Sequence, residues 1–494
     1  MPSDVLPSSI ATLSDLAAAV GDLVPRLVGP PVAVADLHHD SRTVEPGHGF
    51  VAIPGATADG HDFAPAAVDR GAVAVVGERL TAVAVPQLIV TDTRAALPRL
   101  AATVHHHPSR DLPVVGVTGT NGKTTVTYML ESIVRTAGGR PGLVGTVGAR
   151  IDGRPVPLAR TTPEATDLQR LLRTMTREGV DVAALEISSH ALVLGRADEV
   201  RFAVVAFTNL SQDHLDFHGD LQSYAAAKAS LFESRRAARA VIWADDSVGA
   251  DIAASTDVPT TTVGFGTGVD VRGKIAEMSA AGSSMRIESV FGAAAFRLPL
   301  AGDFNVANAL VAAGCGLELG YSLEAVAAGL EALTTIPGRF EIVDVGQPFT
   351  VVVDYAHTPD AIESALGAAR AFATGRVIAL AGAGGDRDRA KRPAMGAALA
   401  GADVTWITSD NPRSEDPQAI VSEVASGAGS AGELHIEVDR MRAIEAALAA
   451  ARSGDVVLVL GKGHEQGQDA AGVILPFDDR DAAAAAIAGL REDR

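Results

Sequence analysis

The chain has 494 residues, 47% of them hydrophobic and 20% charged, with a formal net charge of -19. This length exceeds what one hydrophobic core usually serves and implies about three domains. The ordinary globular composition excludes a disordered chain, and the acidic balance excludes general affinity for nucleic acid or anionic membranes, which need clustered positive charge. The single cysteine, Cys315, permits no internal disulfide. Nothing resembling a secretory leader opens the sequence and no apolar run is long enough for a membrane span, so a cytoplasmic protein is expected.

From residue 1 to about 111, short apolar runs at 72–76 and 87–90 alternate with turn-rich segments such as Pro46-Gly47 and Pro54-Gly55, predicting a small α/β domain. A buried strand is expected at 113–117, then a glycine-rich turn and a helix beginning near Lys123. Strands predicted at 181–187, 202–207 and 240–244 alternate with helical stretches, the pattern of a parallel sheet covered on both faces. After Pro337-Gly338 the rhythm repeats, with strands expected at 350–353, 376–381, 403–408, 434–438 and 455–460. The expected domains are therefore 1–111, 112–336 and 337–494, the last doubly wound. Four polar motifs there follow strands directly: Asp354-Tyr355-Ala356-His357, Gly384-Gly385-Asp386-Arg387, Asp410-Asn411-Pro412-Arg413 and Gly461-Lys462-Gly463-His464-Glu465. In an open parallel sheet the carboxyl ends of strands share the ligand-binding edge, so these motifs are predicted to converge. Arg389 and Lys391 nearby read as surface charges.

Gly119-Thr120-Asn121-Gly122-Lys123-Thr124-Thr125 lies between a predicted strand and helix, where backbone N–H groups and the helix N-terminus favour phosphate oxygens. Lys123 would reach the terminal phosphates, and the Thr124 hydroxyl is placed to ligate Mg2+. Val117 stands where the general phosphate-loop pattern has glycine, which makes this a shorter variant. Glu186 ends an apolar run at 182–185 and offers a second metal contact, and His214 in Asn209-Leu210-Ser211-Gln212-Asp213-His214-Leu215-Asp216 offers an imidazole. These residues alone leave open a P-loop kinase, a mechanical NTPase or a nucleotide-binding scaffold.

The series Gly-Thr-Asn-Gly-Lys-Thr-Thr, Glu186-Ile187-Ser188-Ser189-His190 and Asn-Leu-x-x-Asp-His-Leu-Asp resembles the central domain of the Mur ligases. The resemblance continues through Tyr224 to Lys228, Gly302 to Asn308, Pro337 to Glu341 and Asp354 to Pro359, covering nearly the whole chain. It implies an α/β protein with a small N-terminal UDP-binding domain, a central P-loop ATPase domain with a parallel sheet, and a Rossmann-like C-terminal domain. Lys228 matches the position at which the family's lysine amine forms a CO2-derived carbamate that ligates Mg2+, so Lys123, Glu186, His214 and Lys228 form the implied catalytic set. Asn305, Asn308 and Arg339 join Gly119 to Thr125 as implied ATP contacts. Asp40-Ser41-Arg42 and the segment 55–60 resemble uridine-nucleotide segments, with Ser41 and Thr57 as contacts, while Thr161, Thr162, Ser188 and Arg196 match positions that hold the muramoyl-dipeptide.

Within the family, Asp410-Asn411-Pro412-Arg413 and Gly461 to Glu465 resemble segments of the diaminopimelate-adding members. That implies phosphorylation of the D-glutamyl carboxylate of UDP-N-acetylmuramoyl-L-alanyl-D-glutamate by ATP and attack of meso-2,6-diaminopimelate on the acyl phosphate, by a protein acting as a monomer on small molecules. Arg413 discriminates, because diaminopimelate ends in a carboxylate beside its distal amine whereas lysine ends in ammonium alone. A guanidinium pairs bidentately with the former, and unit charges about 4 Å apart interact by roughly 4 kcal/mol at intermediate dielectric, before desolvation. Arg387, Asp410, Asn411, Pro412, Gly461 and Glu465 match the other contacts, Glu465 being suited to an ammonium. Lysine-adding and D-alanyl-D-alanine-adding ligases and folylpolyglutamate synthases are the neighbouring alternatives.

Overall fold

The computed structural model describes residues 10–55, 57–158 and 160–492. Ala56, inside the predicted uridine-nucleotide segment, lies outside the described residues. The chain packs as two compact units, Met1–Thr118 with Gly138–Val205 and Ala227–Arg239, and Gly119–Ala137 with Ala206–Ala226 and Ala240–Arg494.

In the first unit a five-stranded sheet has the order Arg26–Val28, Gln87–Ile89, Ala74–Gly77, Gly49–Val51 and Leu37–His38. Only the Arg26–Val28 edge is antiparallel. Strand side chains alternate between faces, so Val51 and Val76 enter one apolar core while Phe50 and Val75 enter another. Burial on both sides explains why these strands read as short continuous apolar runs. The same unit contains the fully buried strand Val182–Glu186, parallel to Val114–Thr118 on one side and Pro141–Gly145 on the other. Pro141–Gly145 turns back into the antiparallel strands Gly148–Ile151 and Arg154–Val156.

In the second unit the helix Lys123–Thr136 follows the glycine-rich turn, as the motif predicts. Thr260–Gly264 runs parallel to the end of Ala237–Trp243, and Val271–Ser279, Gly282–Ser289 and Gly292–Leu298 then form an antiparallel meander. The meander adds antiparallel strands to the parallel arrangement expected from sequence. Its strands Val271–Ser279 and Gly282–Ser289 lack the continuous apolar runs on which that expectation rests.

The C-terminal sheet has the order Glu341–Ile342, Thr350–Asp354, Val456–Leu460, Val377–Ala381, Val404–Ile407 and Leu434–Ile436, all parallel except the first. Helices Pro359–Arg370, Lys391–Leu399 and Pro417–Ala425 cover one face. Helices Arg440–Ala449 and Asp479–Glu492 cover the other. Register pairs Asp354 with Leu460 and Ala381 with Ile407, so the four polar motifs leave the sheet at one edge. Among the described residues no helix is long and apolar enough to cross a membrane.

Candidate active site

The loop 119–125 is locked by close packing. Gly119 and Gly122 have φ of 148° and 86°, and a Cβ there would lie 1.9 Å from Thr208 Oγ1 and 2.1 Å from Asn308 Oδ1. Thr120 N donates to the Asn209 carbonyl (2.9 Å), Asn121 N to Asn209 Oδ1 (2.9 Å) and Ser211 N to Thr120 Oγ1 (3.0 Å). Gly122 caps the helix without a side-chain acceptor, leaving the first-turn N–H groups as fixed donors toward the loop. Lys123 Nζ donates to the carbonyls of Gly119 (2.9 Å) and Thr120 (2.8 Å), which holds the ammonium over the turn. Arg339 donates to Thr124 Oγ1 (3.0 Å) and lies 4.5 Å from the Tyr355 ring centroid. Thus Asn308 and Arg339, far from Lys123 and Thr124 in sequence, meet them at one turn. Asn305 lies one helical turn before Asn308 and donates to the Ala301 carbonyl (2.7 Å).

Asp213 is nearly buried, 3.6 Å from Lys391 Nζ, 3.9 Å from His357 Nε2 and 3.3 Å from His214 Nε2. Burial alone would raise its carboxyl, but the cationic forms of His357, Lys391 and His214 and the His214 backbone N–H hold it well below the usual carboxylate range. Lys391 is therefore a buried partner of the central motif, a correction to its reading as a surface charge. Arg389 is exposed as expected. His214, Phe340, Asp386 and Arg413, all in the singled-out segments, adopt left-handed backbone conformations with φ from 45° to 55°. Such strain persists where surrounding contacts over-determine it, commonly at binding sites.

In the first unit Glu186 is 1% exposed. Its Oε1 accepts from Thr146 N (2.9 Å) and its Oε2 from Thr146 Oγ1 (2.9 Å). Thr161 Oγ1 lies 3.1 Å from Thr146 Oγ1, and Thr162 Oγ1 donates to the Glu186 carbonyl (2.8 Å) and Ser188 Oγ (3.3 Å). Arg196 reaches the Thr162 carbonyl (3.3 Å) and pairs with Glu164 (2.9 Å), which also binds Arg94 (2.7 Å). Burial would raise the Glu164 carboxyl, but Arg196 and Arg94 hold it below its ordinary value. The four predicted dipeptide contacts thus form one network with Glu186. Lys228 is also 1% exposed, unlike an ordinary helical lysine.

Ser41 begins a short 3-10 turn capped by Asp40, and Thr57 is exposed. Asp36, His38 and His48 bring potential metal-ligand atoms within 4.8 Å of one another. Arg170, however, donates to Asp36 (2.6 Å) and sits 3.4 Å from His38 Nε2, so a guanidinium already balances the carboxylate.

At the edge of the C-terminal sheet, Gly385 N donates to the Asn411 carbonyl (2.9 Å) and Arg413 Nη1 to the Gly385 carbonyl (2.6 Å). Arg413 N donates to the Asp469 carbonyl (2.9 Å), and Asn411 Nδ2 to Glu465 Oε2 (2.7 Å). A Cβ on Gly461 would lie 2.8 Å from Asp410 Oδ2, so these motifs touch. Pro412 is buried, with its carbonyl beside Gly385, whereas Arg387 is exposed beside Gly384. Buried cations underlie this edge. Arg392 binds Glu415, Glu423 and the Gly384 carbonyl, and its hydrogen bonds hold Glu415 down at about 2. Arg440 pairs with Asp479 and binds the carbonyls of Ser409 (3.3 Å) and Leu460 (2.9 Å), the residues preceding two of the motifs. Sequence reasoning missed Arg392 and Arg440 because a charged residue on an amphipathic helix ordinarily faces solvent. It missed Asp213 although that residue lies inside a motif that had been singled out.

Three segments match Mur ligase domains: residues 34–111 the Mur ligase family catalytic domain, 117–316 the Mur ligase middle domain and 338–463 the Mur ligase glutamate ligase domain. The chain is 45% identical over 468 residues to the UDP-N-acetylmuramoyl-L-alanyl-D-glutamate--2,6-diaminopimelate ligase of Geobacillus thermodenitrificans, covering 93% of this chain and 96% of that protein. The protein of the same name from Streptomyces coelicolor is 45% identical over 486 residues, covering 96% and 95%. A solved structure of that name superposes with a TM-score of 0.66 at 33% identity, over 93% of this chain and 96% of the other.

Proposed function

This chain belongs to the Mur ligase family, with that family's three-domain α/β architecture, and we propose that it joins meso-2,6-diaminopimelate to UDP-N-acetylmuramoyl-L-alanyl-D-glutamate with ATP in peptidoglycan precursor synthesis. The observation that carries the choice of amino acid is the contact of the Asp410 to Arg413 and Gly461 to Glu465 segments at one sheet edge. A guanidinium there suits the distal carboxylate and a neighbouring carboxylate suits the distal ammonium. Arg387, Asp410, Asn411, Pro412 and Gly461 complete this proposed site.

The γ-phosphoryl group of ATP passes to the D-glutamyl side-chain carboxylate, giving an acyl phosphate and ADP. The diaminopimelate amine then attacks the acyl carbon and phosphate leaves, so one amide forms as one phosphoanhydride is broken. Gly119 to Thr125 and Lys123 cradle the triphosphate, and Asn305, Asn308 and Arg339 orient the nucleotide. Both reactants are anionic, so alignment and fixed positive charge supply most of the rate. Mg2+, when bound, adds positive charge that offsets repulsion among the phosphate oxygens. Its proposed ligands are Thr124, Glu186, His214 and Lys228. The set is dominated by oxygen if the Lys228 amine takes up CO2 and releases a proton to become a carbamate, which suits a hard cation. Burial of Lys228 supports its place in this set.

Ser41 and Thr57 are assigned to the uridine nucleotide, and Thr161, Thr162, Ser188 and Arg196 to the dipeptide. The domain bounds 1–111, 112–336 and 337–494 follow these roles, in a cytoplasmic monomer. The test supplies ATP, Mg2+ and UDP-N-acetylmuramoyl-L-alanyl-D-glutamate with either meso-diaminopimelate or L-lysine, and weighs the products by mass spectrometry. A diaminopimelate adduct is expected, and preferential formation of the lysine adduct would overturn the assignment.

A further inference from the structure

Gly461 and Glu465 belong to the proposed amino-acid site, but the lysine between them has had no role. Lys462 is 0% exposed. Lysine is almost never fully buried unless its ammonium is paired. Here Nζ donates to Asn411 Oδ1 (3.0 Å) and Glu465 Oε2 (3.2 Å) and lies 3.8 Å from Asp410 Oδ1. One cation thus gathers side chains from two loops that leave different strands.

An ammonium carries only donors, so it can face only the oxygen of the Asn411 amide. Asp469 N donates to that same oxygen (3.0 Å), and the Asn411 nitrogen donates to Glu465 Oε2 (2.7 Å). The amide therefore has one orientation, and the Glu465 carboxylate has one oxygen tied down. The loop is constrained as well. Gly463 has φ of 54°, and a Cβ there would lie 2.8 Å from Tyr355 Cβ and 2.7 Å from the Gly338 carbonyl. Lys462 is the cation nearest both Asp410 and Glu465, so its removal makes this corner of the pocket one unit more negative, which disfavours a distal carboxylate and favours a substrate ending in ammonium alone.

We propose that Lys462 is a specificity-determining positioning residue, whose buried ammonium orients Asn411 and Glu465 and offsets the Asp410 and Glu465 carboxylates where the zwitterionic end of the incoming amino acid binds. The inference rests on the reading of that amino acid as diaminopimelate.

The test is steady-state kinetics of the full chain and of Lys462→Met, with diaminopimelate, L-lysine and ATP varied in turn and thermal melts run in parallel. The KM for diaminopimelate is expected to rise by about tenfold or more, as for a lost hydrogen bond to a charged group, with the KM for ATP unchanged. The preference for diaminopimelate over lysine in kcat/KM is expected to fall by a similar factor. A folded variant with both quantities unchanged would refute the role. If the parent chain prefers lysine, the substrate assignment fails instead, so the two failures are distinguishable. Should Lys462→Met not fold, the charge-balanced pair Lys462→Met/Glu465→Gln is compared with Glu465→Gln alone. The same rise is expected, and equal KM values would overturn the proposal.

Discussion

Gly145→Ala perturbs the proposed chemistry through a single methyl group. Gly145 ends the strand Pro141–Gly145 outside the left-handed region, so its backbone accepts alanine. The added Cβ would lie 2.1 Å from Glu186 Oε1, 2.7 Å from Cδ and 3.0 Å from Cγ. The carboxylate must withdraw by about 1 Å to reach an ordinary contact, and a misplacement of that size can cost about a hundredfold in rate. Withdrawal also breaks the hydrogen bonds from Thr146 N and Oγ1, both 2.9 Å. Each bond to a charged group contributes about 1.5–3 kcal/mol, so losing one corresponds to about 10- to 150-fold. We expect kcat to fall about a hundredfold while the KM for ATP changes less than about threefold, since Glu186 is proposed as a Mg2+ ligand and is not among the proposed nucleotide contacts. Product formation under saturating substrates, with circular-dichroism melts to establish folding, measures both. A kcat within threefold of the parent would refute the docking of Glu186 as a requirement for turnover.

Arg413→Ala should raise the KM for diaminopimelate by about 30- to 150-fold, the equivalent of roughly 2–3 kcal/mol for a partly buried charge pair, with nucleotide affinity intact. Equal substrate kinetics would remove Arg413 from the site. Arg440→Met strands Asp479 where both partners are fully buried, and equilibrium urea unfolding should show a loss of about 3–5 kcal/mol, most of it recovered in Arg440→Met/Asp479→Leu. A single variant as stable as its parent would contradict the buried pair. Asp213 ionises in the folded state below its ordinary value of 3.8, so its contribution is present above that value and lost as pH falls through the folded one. Asp213→Asn should therefore flatten the fall in stability below about pH 4.5, and an acid limb identical to the parent's would exclude that coupling.

Some of this protein is written in short stretches of chain. The glycine spacing of 119–125 can be read locally, because only that backbone lets a turn enter a helix while approaching Thr208 and Asn308 so closely. The strands ending at Asp354, Ala381, Ile407 and Leu460 are legible as apolar runs, and their parallel order explains why the motifs after them meet. The antiparallel strands Val271–Ser279 and Gly282–Ser289 are not legible in the same way, since a half-exposed strand carries its apolar residues only intermittently. Tertiary structure alone decided that Lys391 faces Asp213, that Glu186 docks on Thr146 and that Lys462 and Arg440 lie beneath the amino-acid loops. The physical reason is that a charged side chain can be buried only beside partners that balance it, and chain order does not reveal which distant strands or helices supply those partners.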